Sequence, residues 1–296
     1  VGVEKNGVRV EKRVCKDELN GMKAEGGGRR LQKIEKSEFG KLLPYLYKSK
    51  EPCPTFAFSV LERFIPGFVY ADDSDSPRTI FVGTDSGLYF VGGVDSNDEF
   101  HKHFLKFCSS KLKEGRRFTL FSGNGGWDGR ILDCFKKELK QSSRYSFTFH
   151  PEEYDVEEIH LQESFTVHRL DEVTIRSSRE FNLEYYERFW GSAEHFLEKG
   201  FGYSVMKGDA ALAGECTSIF RGKVYAEIDI YTNDEYRGMG VAKKAGQAFI
   251  DHCLKNGMIP RWDCKVENLA SMKLADRLGF HDPSVYSIFV KNQQQL

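Results

Sequence analysis

The sequence lacks any long apolar run. A helix needs about 20 consecutive apolar residues to span a bilayer, so no transmembrane helix is expected. It lacks charge of one dominant sign: 43 Lys+Arg stand against 44 Asp+Glu, a net of −1, which argues against a general polyanion binder. Gly (28) and Pro (8) are near average for 296 residues, which excludes collagen-like and low-complexity classes. None of the seven cysteines pairs with another as C-x-x-C or at zinc-knuckle spacing. They read as reduced thiols rather than a metal site. No G-x-S-x-G is present, which removes the serine-hydrolase elbow. Residues 1–36 hold no apolar h-region, so no signal peptide is expected, and a cytoplasmic protein is.

What is present suffices for real cores: 40% hydrophobic and 14% aromatic residues. At about 150 residues per domain the length suggests two domains. Residues 1–36 carry ten Lys/Arg and six Asp/Glu with few apolar residues, so 1–35 are expected to be a disordered tail. Pro151–Glu158 holds five acidic residues and little apolar content, which marks a boundary between an N-terminal α/β domain (36–155) and a second domain (160–296).

In the first domain, helical spacing covers Glu38–Tyr47, Asp98–Leu112 and Asp128–Leu139. Strands are expected at Thr79–Val82, Leu88–Val91, Phe118–Phe121 and Ser143–Phe149. In the second, strands are expected at Phe165–Leu170, Gly202–Met206, Ala211–Ile219, Val224–Tyr231, Pro260–Cys264 and Val285–Val290. Helices are expected at Leu183–Phe196, Val241–Lys255 and Asn268–Leu278. Both halves run strand–strand–helix–strand–helix–strand, so they read as possible diverged copies of one α/β (α+β) fold.

The segment with chemistry in it is Arg237-Gly238-Met239-Gly240-Val241-Ala242, between a strand and a helix. The first turn of a helix has unpaired N–H groups and a partial positive charge, and glycines let a bulky anion approach. The segment reads as a pyrophosphate cradle. It is not G-x-G-x-x-G and no G-K-[ST] follows, so dinucleotide and P-loop readings fail. Strand alternation puts Tyr225, Glu227, Asp229 and Tyr231 on one face of the strand before it. Ser122–Gly129 reads as a turn and helix start. His101 and His103 read as surface residues, and Trp262 and Cys264 as core.

With Arg237, Gly240 and Ala242 at the fixed positions of (Q/R)-x-x-G-x-(G/A), residues 163–290 resemble the GNAT (Gcn5-related) N-acetyltransferase superfamily. Pro260-Arg-Trp-Asp-Cys264, Asn268, Ser271 and Leu278-Gly-Phe280 resemble the GNAT subgroup that includes the zwittermicin-resistance-type enzymes. Pro66–Asp72 extends the likeness to residues 36–150. The resemblance implies a GNAT fold in the C-terminal half and a smaller, possibly GNAT-like N-terminal half. It implies acetyl transfer from acetyl-CoA to an amine-bearing acceptor, with no metal, nucleic acid or membrane. Ile230, Tyr231 and Thr232 would face the pantetheine arm. Arg237, Gly238, Met239, Gly240, Val241 and Ala242 would hold the pyrophosphate, and Asn268 and Ser271 would lie along the cofactor. Glu227 is the first candidate base, Asp229 the second and Glu215 the third. Ala275 stands where many of these enzymes carry a Tyr that protonates the leaving thiolate. The alternatives are an acyl-CoA-binding module without catalysis and an acyltransferase with a different acyl-CoA donor.

Overall fold

Period-two runs of Val, Ile, Phe and Tyr alternate with amphipathic helical stretches along the chain, a pattern that folds as helices on a sheet. The computed structural model describes residues 31–154, 161, 164–208 and 211–292. In chain order the elements are β1 (Gln32–Lys33), α1 (Phe39–Lys48), α2 (Thr55–Leu61), β2 (Gly67–Ala71), β3 (Thr79–Thr84), β4 (Leu88–Gly93), α3 (Asp98–Lys113), β5 (Thr119–Ser122), α4 (Gly125–Phe135) and β6 (Leu139–Phe149). Then come β7 (Phe165–Arg169), α5 (Glu172–Ser177), α6 (Leu183–Trp190), α7 (Ala193–Lys199), β8 (Gly202–Lys207), β9 (Ala211–Arg221), β10 (Tyr225–Thr232), α8 (Val241–Lys255), β11 (Ile259–Lys265), α9 (Leu269–Asp276) and β12 (Phe280–Lys291).

All twelve strands join in one sheet, ordered β1-β2-β3-β4-β5-β12-β6-β11-β10-β9-β8-β7. Two units repeat in it. Strands β3-β4-α3-β5-α4-β6 are matched by β9-β10-α8-β11-α9-β12, with parallel pairs β4·β5 and β10·β11 at corresponding places. Their last strands are exchanged: β12 pairs antiparallel with β5, β6 pairs antiparallel with β11, and β6 and β12 pair with each other in the middle.

Three cores follow from this arrangement. Helices α3 and α4 cover one face of the N-terminal half through Phe100, Phe104, Trp127 and Ile131. Helices α8 and α9 cover the C-terminal half through Val241, Ala245, Phe249 and Ala275. The third core joins the halves: α1 and α2 meet α6 and α7 through Leu42, Phe56, Phe58, Tyr186 and Trp190.

Several sequence expectations shift. The helix expected over Leu183–Phe196 is two helices. Gly191 adopts φ 86°, a conformation cheap only for glycine, and Ser192 then caps α7 through the His195 N–H. The helix expected over Asp128–Leu139 ends at Phe135, and Leu139 already belongs to β6. Gln32 and Lys33, expected in the tail, form β1, and Ile34 after them lies in the shared core. Residues 1–30 and the second half of the acidic boundary, 155–158, lie outside the described residues.

Candidate functional site

Strands β10 and β11 run parallel only at their beginnings. Tyr225 pairs with Ile259, Ala226 with Pro260 and Glu227 with Arg261, and there the ladder ends. From Trp262 onward β11 pairs with β6, while β10 continues alone against β9 to Thr232. The result is a fork, with Glu227 and Arg261 at its apex and the edge of β10 from Ile228 to Thr232 left without a strand on that side among the described residues. The hydroxyl Oγ1 of Thr232 is buried there without a hydrogen-bond partner among the described residues.

Helix α8 begins at the open end of the fork. Helices α3, α4, α5, α6, α7 and α9 all have a side-chain N-cap, from Asn97, Asn124, Asp171, Asn182, Ser192 and Asn268. Helix α8 has none: its N-cap is Gly240, at φ 85°, and its first turn holds no acidic residue. Gly238 adopts φ 77° just before it. Arg237 is exposed and paired with Asp234 at 2.6 Å, Met239 is exposed, and Val241 turns into the core. A helix start with this backbone and no internal cap suits an anion.

The corresponding place in the N-terminal half is closed. Glu51 accepts hydrogen bonds from the Gly93 N–H (2.9 Å) and from Asn124 (2.6 Å), and α3 opens under the Asn97 cap with Asp98 and Glu99 in its first turn. Asn124 also caps α4, which confirms Ser122–Gly129 as a turn and helix start.

Asn268, an exposed residue, caps α9 by accepting from the Ser271 N–H at 3.1 Å. The Ser271 hydroxyl accepts from Trp262 Nε1 at 3.0 Å. Ala275 is fully buried against the core, so no hydroxyl stands at that helix position. Trp262 and Cys264 are core residues, and His101 and His103 lie on α3. Among the described residues no three His, Cys, Asp or Glu are grouped to hold a metal ion, and no helix is long and apolar enough to cross a membrane.

Tyr225, Glu227, Asp229 and Tyr231 share the face of β10 that meets the joined core, as alternation requires, while Ala226, Ile228 and Ile230 face α8. Burial is the first cause that pushes the Glu227 carboxyl up to about 7, and the charge of Asp263 adds to it. A hydrogen bond from Thr55 and the cations Arg144 and Arg261 oppose the rise. Asp229 is also raised by burial, but the Tyr185 hydroxyl donates to it at 2.8 Å and holds it against α6. Glu215 lies deeper, under Ser178, whose hydroxyl donates to it at 2.6 Å. Burial raises it to about 7.

Sequence reasoning missed four neighbours of Glu227. Tyr286 on β12 donates to Asp263 Oδ2 at 2.9 Å. Arg144 on β6 reaches the Tyr286 hydroxyl at 3.1 Å and the Asp263 carbonyl at 3.1 Å. Thr55 comes from α2. Beside this cluster lies a cleft of about 400 Å³, floored by β6, β11 and β12 and walled by residues 46–54 and Phe58.

A family model described as GNAT acetyltransferase matches residues 47–289. The chain belongs to the GNAT acetyltransferase family. It is therefore an acyltransferase, and members of this family use an acyl-CoA as co-substrate beside an acceptor. The chain is 40% identical over 259 residues to the uncharacterized N-acetyltransferase YdfB of Bacillus subtilis (strain 168), covering 88% of this chain and 98% of that protein. A GCN5-related N-acetyltransferase-like protein from Streptococcus suis 89/1591 superposes with a TM-score of 0.63 at 25% identity, covering 87% of this chain and 100% of the other. A tandem GNAT protein from the clavulanic acid biosynthesis pathway shares the fold with a TM-score of 0.61 at 11% identity, over 88% of this chain and 97% of that one. A tandem GNAT arrangement accords with the two repeated units.

Proposed function

We propose that this GNAT acetyltransferase moves an acetyl group from acetyl-CoA to the amine of a small acceptor by direct attack, with Glu227 as the base. One observation carries the reading: Glu227 occupies the last paired position before β10 and β11 part. The fit of an acyl-CoA is supported by the β10 edge without a strand partner, the orphaned Thr232 Oγ1 and the uncapped start of α8. On this reading Ile230, Tyr231 and Thr232 line the pantetheine arm. The N–H groups from Arg237 to Ala242 hold the pyrophosphate, and Asn268 and Ser271 lie beside the arm.

The co-substrate supplies an activated thioester. The residues of this chain must supply a free amine. An alkyl amine with a pKa near 10.4 is almost wholly protonated at pH 7, and freeing it costs roughly 4–5 kcal/mol. A carboxylate titrating at about 7 is matched to that task. The ammonium gives one proton to Glu227, the free amine bonds to the thioester carbon, the C–S bond breaks with the electron pair leaving on sulfur, and the second nitrogen proton passes to water. A thiolate of pKa near 8.5 leaves tolerably without an acid, which accommodates Ala275. Glu227 is preferred to Asp229 because Tyr185 already engages Asp229. Six free cysteines among the described residues fit the proposed cytoplasmic location.

The test is Glu227→Gln. Turnover is expected to fall by about 100-fold or more while acetyl-CoA binding stays within about twofold. A variant with near-normal turnover contradicts it.

A further inference from the structure

We infer that the acceptor is a free amino acid, held as a zwitterion in the cleft over β6, β11 and β12 between Asp263 and Arg261. The inference rests on the acetyl-transfer reading above and names its substrate class. Asp263 and Arg261 both line the cleft, two residues apart on one face of β11.

Asp263 Oδ2 accepts from Tyr286, but Oδ1 is buried and has no hydrogen-bond partner among the described residues. A carboxylate oxygen in that state is costly to leave unpaired, and an ammonium group supplies what it lacks. Arg261 shows the opposite need. Its Nη1 donates to the Cys53 carbonyl at 2.7 Å, and its guanidinium lies 4.1 Å from the centre of the Tyr225 ring. Among the described residues it makes no ion pair with a carboxylate. A guanidinium held by one carbonyl and one ring keeps further N–H groups that can donate as a fork to a carboxylate.

A simple amine or a polyamine satisfies only Asp263 and leaves Arg261 unpaired. A carboxylic acid without an amine does the reverse. An amino acid satisfies both, and about 400 Å³ accommodates it together with its side chain against Tyr47, Phe58 and Tyr225. The amine on Asp263 also stands next to Glu227, whose carboxyl feels the Asp263 charge directly. In the transfer the amino-acid ammonium gives one proton to Glu227, the nitrogen forms the amide bond as the C–S bond breaks and the thiolate leaves, and the second nitrogen proton passes to water.

The experiment measures thiol release from acetyl-CoA with the standard amino acids, each beside its decarboxylated amine. The result expected is that at least one amino acid exceeds its decarboxylated amine by about 100-fold in kcat/KM. In Arg261→Gln that ratio should fall to within about tenfold, with Arg261→Lys intermediate. Amines that match or exceed the amino acids overturn the inference and leave acetyl transfer standing. So does acetyl-CoA binding without transfer to any amino acid. If acetyl-CoA itself fails to bind, the acetyl-transfer reading falls instead. Calorimetric titration of the same amino acids into the unmodified protein then decides the cleft: binding lost in Arg261→Gln supports it, and no binding overturns it.

Discussion

Glu227 and Glu215 are both raised to about 7 by burial, yet their neighbours give them different consequences. Glu227 stands beside a cleft and cations, and as the proposed base it carries its titration into turnover. Its acid form cannot accept a proton, and kcat/KM is expected to fall as pH drops through about 7. That limb should vanish in the residual rate of Glu227→Gln, and a pH–rate profile checks it. Glu215 lies buried against Ser178 and core with the charge of Glu180 nearby, away from the cleft, so its titration belongs to stability. Its folded pKa lies above its unfolded value near 4.5. The stability it contributes is therefore complete below about 4.5 and lost as pH rises through about 7. Glu215→Gln removes that loss. The variant should be more stable than the parent at pH 8, by a difference on the order of 3 kcal/mol that shrinks toward zero below pH 4.5. Urea unfolding at pH 4.5 and pH 8 measures it. Strand alternation put Glu227 and Asp229 on one face, and the family resemblance named them and Glu215 as candidate bases. Asp263, Arg144 and Tyr286 could not be named from either, because they come from three strands brought side by side by pairings more than a hundred residues long.

The start of α8 is the element on which the co-substrate reading depends. Gly240 and Gly238 hold positive φ, and an alanine at either pays a backbone cost of roughly 1 kcal/mol. Gly240→Ala should therefore weaken acetyl-CoA binding by about tenfold or more in a calorimetric titration, with the fold retained; unchanged affinity contradicts the cradle. This element was legible because its signals are local: a strand, a glycine pair, then an amphipathic run. Helix α2 was not. All seven of its residues are buried, so it has no polar face to set a helical period, yet it supplies Thr55 to Glu227. The break between α6 and α7 was missed because Gly191 sits inside a stretch whose apolar spacing continues across it.

At the scale of the molecule, the repeated order of elements was readable, but the exchange of β6 and β12 was not. Both strands alternate in the same way, and alternation fixes which side faces the core without naming the neighbour. The exchange ties each half to the other's last strand, and α2 packs on β2 and β3 of one half and on β9 and β10 of the other. The halves should therefore unfold together. Calorimetry is expected to give one transition for the whole chain, and two separable transitions contradict this. The exchange also builds the cleft, since its floor comes from both halves, while only the C-terminal half keeps an open fork.

The central claim is that this fork and the start of α8 take an acyl-CoA. The most direct measurement is a thermal shift with acetyl-CoA, desulfo-CoA, ATP and NAD. A ligand at 100 times its Kd stabilises by about 2.7 kcal/mol, a shift of several degrees. The account predicts that shift with both CoA compounds and none with ATP or NAD. No shift with either CoA compound, or an equal shift with ATP and NAD, would contradict it.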